Sequence, residues 1–254
     1  MPEDGIAAIL RQGNIANFAQ EARWIAAELT GEAALAAARR RAAGEPLQYV
    51  LGTAPFRDLM LAVDRRVLIP RPETEELVQW VIRKLPEKGS LLDLGTGSGA
   101  IALATAQERS DATVTAVDLS ADALAVAENN ARRCDLADRV EWLKSDLFSA
   151  LSGRRFDLVA ANLPYVTEEE YPALDAEVRD YEPRMALVAG DAGLELILRA
   201  VRELPEYLNR PGGAIFELSP PQAARAAAAV EAAGLRADIL RDLCGRDRFV
   251  TGEW

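Results

Sequence analysis

Histidine is absent from the 254-residue sequence, and cysteine occurs only twice. Without an imidazole, the chain has no Ser-His or Cys-His nucleophile pair, no histidine proton shuttle and no histidine-ligated metal. Cys134 and Cys244 lie far apart and form no Cys-x-x-Cys motif, which predicts two reduced thiols and no metal site. If the chain is an enzyme, its chemistry depends on other groups.

Basic residues and long apolar runs are also scarce. The 29 Lys and Arg are outnumbered by 40 Asp and Glu, which gives a net charge of −11. Binding to a phosphate backbone needs a basic face, so nucleic acid is a disfavoured partner. No uninterrupted apolar run reaches the ~18 residues of a membrane span, and the acidic first residues do not resemble a signal peptide. We therefore expect a cytoplasmic protein that binds neither nucleic acid nor membrane, and we expect a monomer.

The first 43 residues differ in composition from the rest. They are rich in alanine, have apolar residues at helical spacing, and carry five arginines and five acidic residues, so the whole net charge belongs to the remainder. Gly44-Glu45-Pro46 follows directly and breaks the helical pattern. The sequence predicts a helical domain over 1–43, a linker or hairpin over 44–72 and a larger domain over 73–254.

Strand and helix patterns alternate from residue 90 onward. The predicted strands are 90–94, 113–118, 140–144, 156–161, 213–218, 237–240 and 248–251. The predicted helices are 73–84, 99–108, 121–133, 194–208 and 221–233. This alternation predicts an α/β fold with helices on both faces of a mostly parallel sheet, in which only the last two strands are close enough in sequence to form a hairpin.

A glycine-rich segment lies between the first of these strands and its helix. It runs Asp93-Leu94-Gly95-Thr96-Gly97-Ser98-Gly99-Ala100. Glycines at such a turn let a ligand approach the backbone closely and open the helix N-terminus toward it. Because the segment also satisfies the looser dinucleotide-binding pattern, the glycines alone do not identify the ligand.

Acidic residues lie at the ends of the next two strands. Asp118 ends the second strand, where an acceptor-only carboxylate is suited to bind both hydroxyls of a ribose. Asp146 follows the third strand and could accept a hydrogen bond from an adenine amine while Leu147 packs on the ring. The three strand ends predict an adenosine-containing cofactor, with NAD and S-adenosylmethionine both open.

Asn162-Leu163-Pro164-Tyr165 follows the fourth strand and distinguishes these cofactors. It resembles the (Asn/Asp)-Pro-Pro-Tyr signature of methyltransferases that act on planar nitrogens. The lone pair of such a nitrogen is delocalised, so two acceptors aimed at its hydrogens, the Asn162 side-chain oxygen and the next backbone carbonyl, would orient it for in-line attack on a sulfonium methyl. The ring of Tyr165 would stack on the planar group.

Further segments extend the resemblance from about residue 44 to the C-terminus, and on them the chain is similar to the HemK/PrmC family. They are Gly44 to Tyr49, Val67 to Glu75 with its Ile-Pro-Arg-Pro-Glu-Thr core, Glu182-Pro183-Arg184 and Gly245-Arg246-Asp247-Arg248. The resemblance implies a class I S-adenosylmethionine-dependent methyltransferase with a Rossmann-like seven-stranded sheet, one antiparallel strand near its end and a small N-terminal helical domain that docks the substrate. It implies methyl transfer to the glutamine amide nitrogen in the Gly-Gly-Gln loop of peptide chain release factors.

Site residues follow from the same resemblance. Those implied to bind the cofactor are Gly95, Thr96, Gly97, Ser98, Gly99, Asp118, Leu119, Asp146, Leu147 and Asn162. Those implied to bind the substrate glutamine are Asn162, Leu163, Pro164 and Tyr165, with Asn162 and Tyr165 as the catalytic pair and no metal. Leu163 departs from the proline usual in the family, but leucine also supplies the backbone carbonyl that the chemistry uses.

Four other functions stay open at this stage. A ribosomal-protein glutamine is an alternative methyl acceptor, and an exocyclic amine of a nucleic-acid base is a weaker one. An NAD-dependent dehydrogenase would use the glycines and Asp118 but leaves Asn162 to Tyr165 unexplained; a binding protein that retains only the cofactor fold is the last alternative. The acidic residues that follow Tyr165 favour a basic protein loop over nucleic acid as the partner. They are Glu168, Glu169, Glu170, Asp175, Glu177, Asp180 and Glu182.

Overall fold

A computed structural model describes residues 2–190 and 192–254 of the chain. Its N-terminal part consists of helices α1 (Pro2–Gln12), α2 (Phe18–Glu28), α3 (Gly31–Ala42) and the short α4 (Leu47–Leu51). These helices enclose a hydrophobic core of their own, to which Ile6, Leu10, Ile25 and Val50 contribute. The helical pattern of the first 43 residues is present, and α4 continues the packing beyond it.

A hairpin and a longer helix connect this bundle to the sheet. Strands β1 (Thr53–Phe56) and β2 (Leu59–Ala62) pair antiparallel, within the segment where the sequence predicts a linker or hairpin. Helix α5 (Pro72–Lys84) begins with a proline in its first turn, where the fixed φ of proline suits a helix and its missing N–H leaves no helical bond unmade.

The larger part is a seven-stranded sheet flanked by helices. The strands are β3 (Ser90–Leu94), β4 (Thr113–Asp118), β5 (Val140–Lys144), β6 (Phe156–Ala161), β7 (Leu208–Glu217), β8 (Arg236–Arg241) and β9 (Asp247–Glu253). The helices are α6 (Ala100–Glu108), α7 (Ala121–Arg133), α8 (Ala176–Tyr181), α9 (Glu195–Tyr207) and α10 (Ala223–Ala232). The strand order is β5-β4-β3-β6-β7-β9-β8, with β9 antiparallel to both neighbours and the other pairs parallel. The predicted fold class is confirmed.

Both faces of the sheet are buried because successive strand residues point to opposite sides. On β3, Leu91 packs with Leu77 and Ile101 in one core, whereas Leu92 packs with Phe148 in the other. The chain continues from β3 to β4 on one side, and β6 lies on the other, so the strand order reverses at β3. A crevice at such a reversal, outside the carboxyl ends of the strands, is where ligands bind in open α/β sheets.

Some elements differ from the sequence prediction. β7 begins at Leu208 and not at residue 213, because Leu208 pairs with Phe156 of β6 ahead of a register shift, after which the pairing resumes between Gly213 and Leu158. A 3₁₀ turn at Pro220–Gln222 delays the start of α10 to Ala223. Neither α4 nor α8 was predicted, since each is only five or six residues long. Among the helices of the described residues, none has the length and hydropathy needed to cross a membrane.

Candidate active site

A cleft of about 1100 Å³, including its open mouth, lies at the carboxyl edge of the sheet where the strand order reverses. Most of the site residues that the sequence analysis selected line this cleft. Those lining it are Gly95, Thr96, Gly97, Ser98, Asp118, Leu119, Asp146, Leu147, Asn162, Leu163 and Pro164. Tyr165 lines a smaller adjoining pocket, together with Asn162 and Leu163. Four separate segments of the sequence therefore meet at one site.

The glycine turn after β3 brings its backbone close to the cleft. Gly95 and Gly97 have φ values of +72° and +56°, which L side chains rarely adopt. A Cβ atom on Gly95 would lie 2.9 Å from Cδ2 of Leu163, so this glycine also allows the two loops to approach each other. Gly99, with φ of +86°, instead serves packing behind the turn, since a Cβ there would press on Leu103, Ala127 and Trp142 at 3.1–3.2 Å.

Asp93 stabilises the turn from beneath. Its Oδ2 accepts hydrogen bonds from the Thr96 hydroxyl at 2.6 Å and from the Ala102 N–H at 3.2 Å, whereas its Oδ1 has no hydrogen-bond partner within the described residues. Complete burial raises the pKa of Asp93 to about 7, against the opposing effect of these two bonds. The carboxyl group therefore holds the loop in place without facing solvent.

Asp118 is already oriented at the edge of the cleft. Its Oδ2 accepts from the Gly97 N–H and its Oδ1 from the Ser120 N–H, each at 2.9 Å. Burial raises the pKa of Asp118, and the backbone hydrogen bonds oppose that rise. A carboxylate has about four acceptor positions, so two remain for hydroxyl groups of a ligand.

Leu147 and Asp146 lie where β5 ends. Leu147 has φ of +48°, and its carbonyl accepts a hydrogen bond from the Ser145 hydroxyl at 2.6 Å, which holds the loop in this uncommon conformation. Asp146 pairs with Arg199 of α9 at 2.5 Å, so one of its two oxygens is engaged by an arginine that the sequence analysis did not consider. Leu119, with 53 % of its surface exposed, borders the same part of the cleft.

Asn162 is held by two residues that the sequence analysis did not assign to the site. Its Nδ2 donates a hydrogen bond to Oγ1 of Thr74 at 3.0 Å, and the Thr74 hydroxyl donates to Oε2 of Glu217 at 2.8 Å. Thr74 lies in the Ile-Pro-Arg-Pro-Glu-Thr segment, so its position was noticed but not its role. Glu217 could have been found as a lone carboxylate in the otherwise apolar end of β7.

Tyr165 is fixed through its backbone, with its carbonyl accepting from Nε2 of Gln222 at 2.8 Å. Burial, reinforced by the nearby Glu217, raises the pKa of the Tyr165 phenol to about 12. The phenol therefore stays protonated at neutral pH, which suits a flat contact surface better than a general base.

Arg71 and Glu73, whose roles the sequence left open, each form an ion pair. Arg71 lines the cleft and lies 2.6 Å from the buried Glu182, which also accepts from the Ile69 N–H at 3.2 Å. Glu73 pairs with Arg246 at 3.1 Å. These bonds connect the start of α5 and the residues just before it to the loop after α8 and to the loop between β8 and β9.

The acidic segment after Tyr165 presents less free charge than its sequence indicates. Arg184 pairs with Glu168, Arg41 with Glu177, Arg179 with Asp180 and Arg71 with Glu182. Arg184, Arg41 and Arg71 lie outside the acidic run, so a count of charges within the run alone does not show that they neutralise it. The pairing weakens the argument that this segment attracts a basic loop by charge alone.

Known proteins are similar to this chain in sequence and in fold. Residues 74–178 match the family model of the methyltransferase small domain. The chain is 40 % identical over 222 residues to the release factor glutamine methyltransferase of Rhodopirellula baltica, a match that spans 84 % of this chain and 75 % of that protein. It is 42 % identical over 183 residues to the ribosomal protein uL3 glutamine methyltransferase of Francisella tularensis, spanning 70 % and 58 % of the two chains.

A solved methyltransferase from Pyrococcus furiosus shares the fold with a TM-score of 0.60. It is 17 % identical and the match covers 78 % of this chain and 89 % of that one. At this identity the likeness supports the fold alone.

Proposed function

Because the chain belongs to the HemK/PrmC family of glutamine methyltransferases, we propose that it methylates the side-chain amide nitrogen of the glutamine in the Gly-Gly-Gln loop of a peptide chain release factor. The methyl donor would be S-adenosylmethionine. The observation that carries the proposal is that Asn162, Leu163 and Pro164 line the same cleft as Gly97 and Asp118.

The residues of the cleft fit this cofactor. The turn at Gly95 and Gly97 has no side chain to keep a ligand from the backbone, and Asp118 has acceptor positions for two ribose hydroxyls. Leu119 and Leu147 are apolar neighbours for an adenine ring, and Asp146 retains one oxygen for its amine. When bound, S-adenosylmethionine supplies an electrophilic methyl group on a positively charged sulfur.

The protein's own contribution is positioning. The Asn162 side-chain oxygen and the Leu163 carbonyl would accept the two hydrogens of the glutamine amide and direct its nitrogen toward the methyl group. The ring of Tyr165 would stack on the amide plane. No general base is needed before attack, since the nitrogen loses its proton after it is methylated, and this agrees with a chain that lacks histidine.

A protein amide is favoured over a nucleic-acid base as the acceptor. The net charge of −11 opposes the approach of a phosphate backbone. The N-terminal helices connect to the acceptor side of the site, because Arg41 of α3 pairs with Glu177 of α8 and the Tyr181 hydroxyl donates to the Ala43 carbonyl. We propose that this bundle docks the release factor, and that the enzyme acts as a cytoplasmic monomer.

Methylation of a purified release factor with labelled S-adenosylmethionine, followed by peptide mass spectrometry, tests the proposal. We expect one methyl group on the Gly-Gly-Gln peptide and none when that glutamine is replaced by alanine in the substrate. Ribosomal protein uL3 and transfer RNA, assayed in parallel, test the alternatives. Faster label transfer to either one than to the release factor would contradict the proposed substrate. Binding of NAD instead of S-adenosylmethionine in equilibrium titration would contradict methyl transfer itself.

A further inference from the structure

Asn162, Thr74 and Glu217 form a continuous chain of hydrogen bonds from the cleft into the protein. The two bonds measure 3.0 Å between Asn162 Nδ2 and Thr74 Oγ1 and 2.8 Å between Thr74 Oγ1 and Glu217 Oε2. The three residues come from the end of β6, the first turn of α5 and the end of β7. Thr74 and Glu217 are buried, with 4 % and 1 % of their surfaces exposed.

The chemistry of the three groups fixes which group donates and which accepts in each of these hydrogen bonds. A carboxylate only accepts hydrogen bonds, so the single hydroxyl hydrogen of Thr74 must point to Glu217. The Thr74 oxygen then has only lone pairs to offer, and it binds the NH₂ end of the Asn162 amide. As a result, the Asn162 oxygen is turned away from Thr74, which is the orientation needed to accept a hydrogen from a glutamine amide.

Thr74 alone would not fix this orientation. A hydroxyl donates to an amide oxygen as readily as it accepts from an amide nitrogen, so the amide of Asn162 could turn over without losing a bond. A flipped amide would point NH₂ toward the NH₂ of the substrate. The flip is prevented only if another acceptor takes the hydroxyl hydrogen of Thr74, and Glu217 is such an acceptor.

Glu217 is also difficult to explain as a stabilising residue. Burial of a carboxylate in an apolar strand disfavours its ionised form, and burial is the main reason why the pKa of Glu217 rises to about 7. The titratable and charged groups that face it are Arg248 of β9, Arg71 before α5, Glu73 within α5 and the Tyr165 phenol after β6. The two arginines favour the ionised form, whereas Glu73 opposes it.

We propose that Thr74 and Glu217 are positioning residues that orient the Asn162 amide with its oxygen toward the methyl-accepting nitrogen. This inference rests on the proposed function. It assigns the threonine of the Ile-Pro-Arg-Pro-Glu-Thr segment and a carboxylate 143 residues away in sequence to one catalytic arrangement.

Thr74→Val tests the proposal because it preserves the shape of the side chain and replaces the hydroxyl by a methyl group, which forms no hydrogen bond. We expect kcat to fall about tenfold or more, with KM for the release factor and Kd for S-adenosylmethionine changed less than about threefold. Thr74→Ser, which restores the hydroxyl, should recover most of kcat. Thr105→Val is the matched control: Thr105 is fully buried on α6, and its hydroxyl has no hydrogen-bond partner in the described part of the chain.

Glu217→Gln tests whether Glu217 sets the donor and acceptor roles along the hydrogen bonds from Glu217 through Thr74 to Asn162. A glutamine amide presents either an acceptor or a donor to Thr74, so kcat should fall and should no longer depend on the ionisation of residue 217. For the wild-type enzyme we expect kcat to rise with pH around 7, because ionised Glu217 enforces the orientation. The profile of Glu217→Gln should be flatter.

The proposal would be overturned by wild-type kcat in Thr74→Val, by no recovery in Thr74→Ser, or by an unchanged pH profile in Glu217→Gln. A kcat loss of the same size in Thr105→Val would also overturn it, since burial of a threonine would then explain the effect. Failure of the proposed function is a separate result, because the wild-type enzyme itself would then leave the release factor unmethylated.

Discussion

The backbone N–H of Gly97 donates a hydrogen bond to the carboxylate of Asp118 over 2.9 Å and so joins the glycine turn to the end of the neighbouring strand β4. Residues that lie 21 positions apart therefore form one preorganised edge of the cleft. A ligand that binds there meets a carboxylate whose orientation is already set, which lowers the entropic cost of binding.

Replacement of Asp118 by asparagine should weaken cofactor binding. The side chain would keep its shape, but its NH₂ group cannot accept a hydrogen bond from a ribose hydroxyl. The same NH₂ group would also face one of the two backbone N–H groups, of Gly97 or Ser120, from which the carboxylate now accepts. We expect Kd for S-adenosylmethionine to rise about tenfold or more, which corresponds to the ~1–3 kcal/mol of an unsatisfied polar contact. Isothermal titration calorimetry measures this change.

Asp122→Asn provides the matched control, because Asp122 is an exposed acid in the first turn of α7, close in sequence to Asp118. It removes the same charge from the same region. If both variants lost affinity equally, a general electrostatic effect would replace the specific role assigned to Asp118.

Asn162→Ala should separate turnover from cofactor binding. Its side-chain oxygen would orient the substrate amide, so its loss should lower kcat by roughly 10²-fold, the size seen when one oriented polar group is removed from an active site. Kd for S-adenosylmethionine should rise by no more than a fewfold, because Asn162 is only one of the ten residues implied to bind the cofactor. Single-turnover kinetics with the release factor and cofactor titration of the same preparation make the comparison, and a large loss of cofactor affinity would contradict the role assigned to Asn162.

Stability should fall as pH rises from about 5 to about 7.5. Burial raises the pKa of both Asp93 and Glu217 to about 7, from 3.8 and 4.5. Between these values the folded chain holds protons that the unfolded chain has released, so the free energy of unfolding decreases by about 1.4 kcal/mol per pH unit for each such group. The stabilisation that protonated Asp93 and Glu217 provide is complete below about pH 4 and is lost once pH passes about 7.

Because the chain has no histidine, few other groups titrate in this range, which makes the effect easy to measure. Urea unfolding at pH 5.5, 6.5 and 7.5 gives the free energy directly. Asp93→Asn, which resembles the protonated form, should reduce the slope. A midpoint that stays constant or rises over this range would contradict the raised pKa values.

The sheet was predictable because its signals are local. Strands such as 90–94 and 156–161 are short apolar runs bounded by turn residues, and their limits agree with the structure. The predicted start of the strand at 213–218 was less accurate, because pairing with a neighbouring strand decides where β7 begins. Pairing of Leu208 with Phe156 of β6 extends β7 back to Leu208, although a register shift separates this pair from the regular pairing that starts at Gly213.

The residues of the candidate site were predictable where each lies at the carboxyl end of a predicted strand. Gly97 and Asn162 follow strands and Asp118 ends one, and parallel strands bring their carboxyl ends to the same edge. The contacts of these residues were not predictable, since Thr74 and Glu217 reach Asn162 from elements far away in sequence. The pairing of Arg199 with Asp146 was missed for the same reason.

The ion pairs of Arg41 should distinguish the stability of the N-terminal bundle from its connection to the active site. Arg41 is buried and binds Glu21 within the bundle at 2.6 Å and Glu177 of α8 at 2.7 Å. Arg41→Ala leaves Glu21 buried without its partner, so we expect a loss of about 3–5 kcal/mol in the stability of the bundle. Thermal unfolding followed by circular dichroism measures this loss.

Glu177→Gln, by contrast, removes only the ion pair between the bundle and α8, and it leaves the hydrogen bond between the Tyr181 hydroxyl and the Ala43 carbonyl in place. Because Glu177 is 44 % exposed, the variant should lose less than about 1 kcal/mol of stability. If the bundle docks the release factor, KM for that substrate should rise severalfold while Kd for S-adenosylmethionine stays constant. Glu32→Gln, which breaks an exposed ion pair with Arg39 inside α3, is the control and should leave both constants unchanged. Equal KM values for the wild type and Glu177→Gln would show that the Arg41–Glu177 bond does not position the bundle for docking.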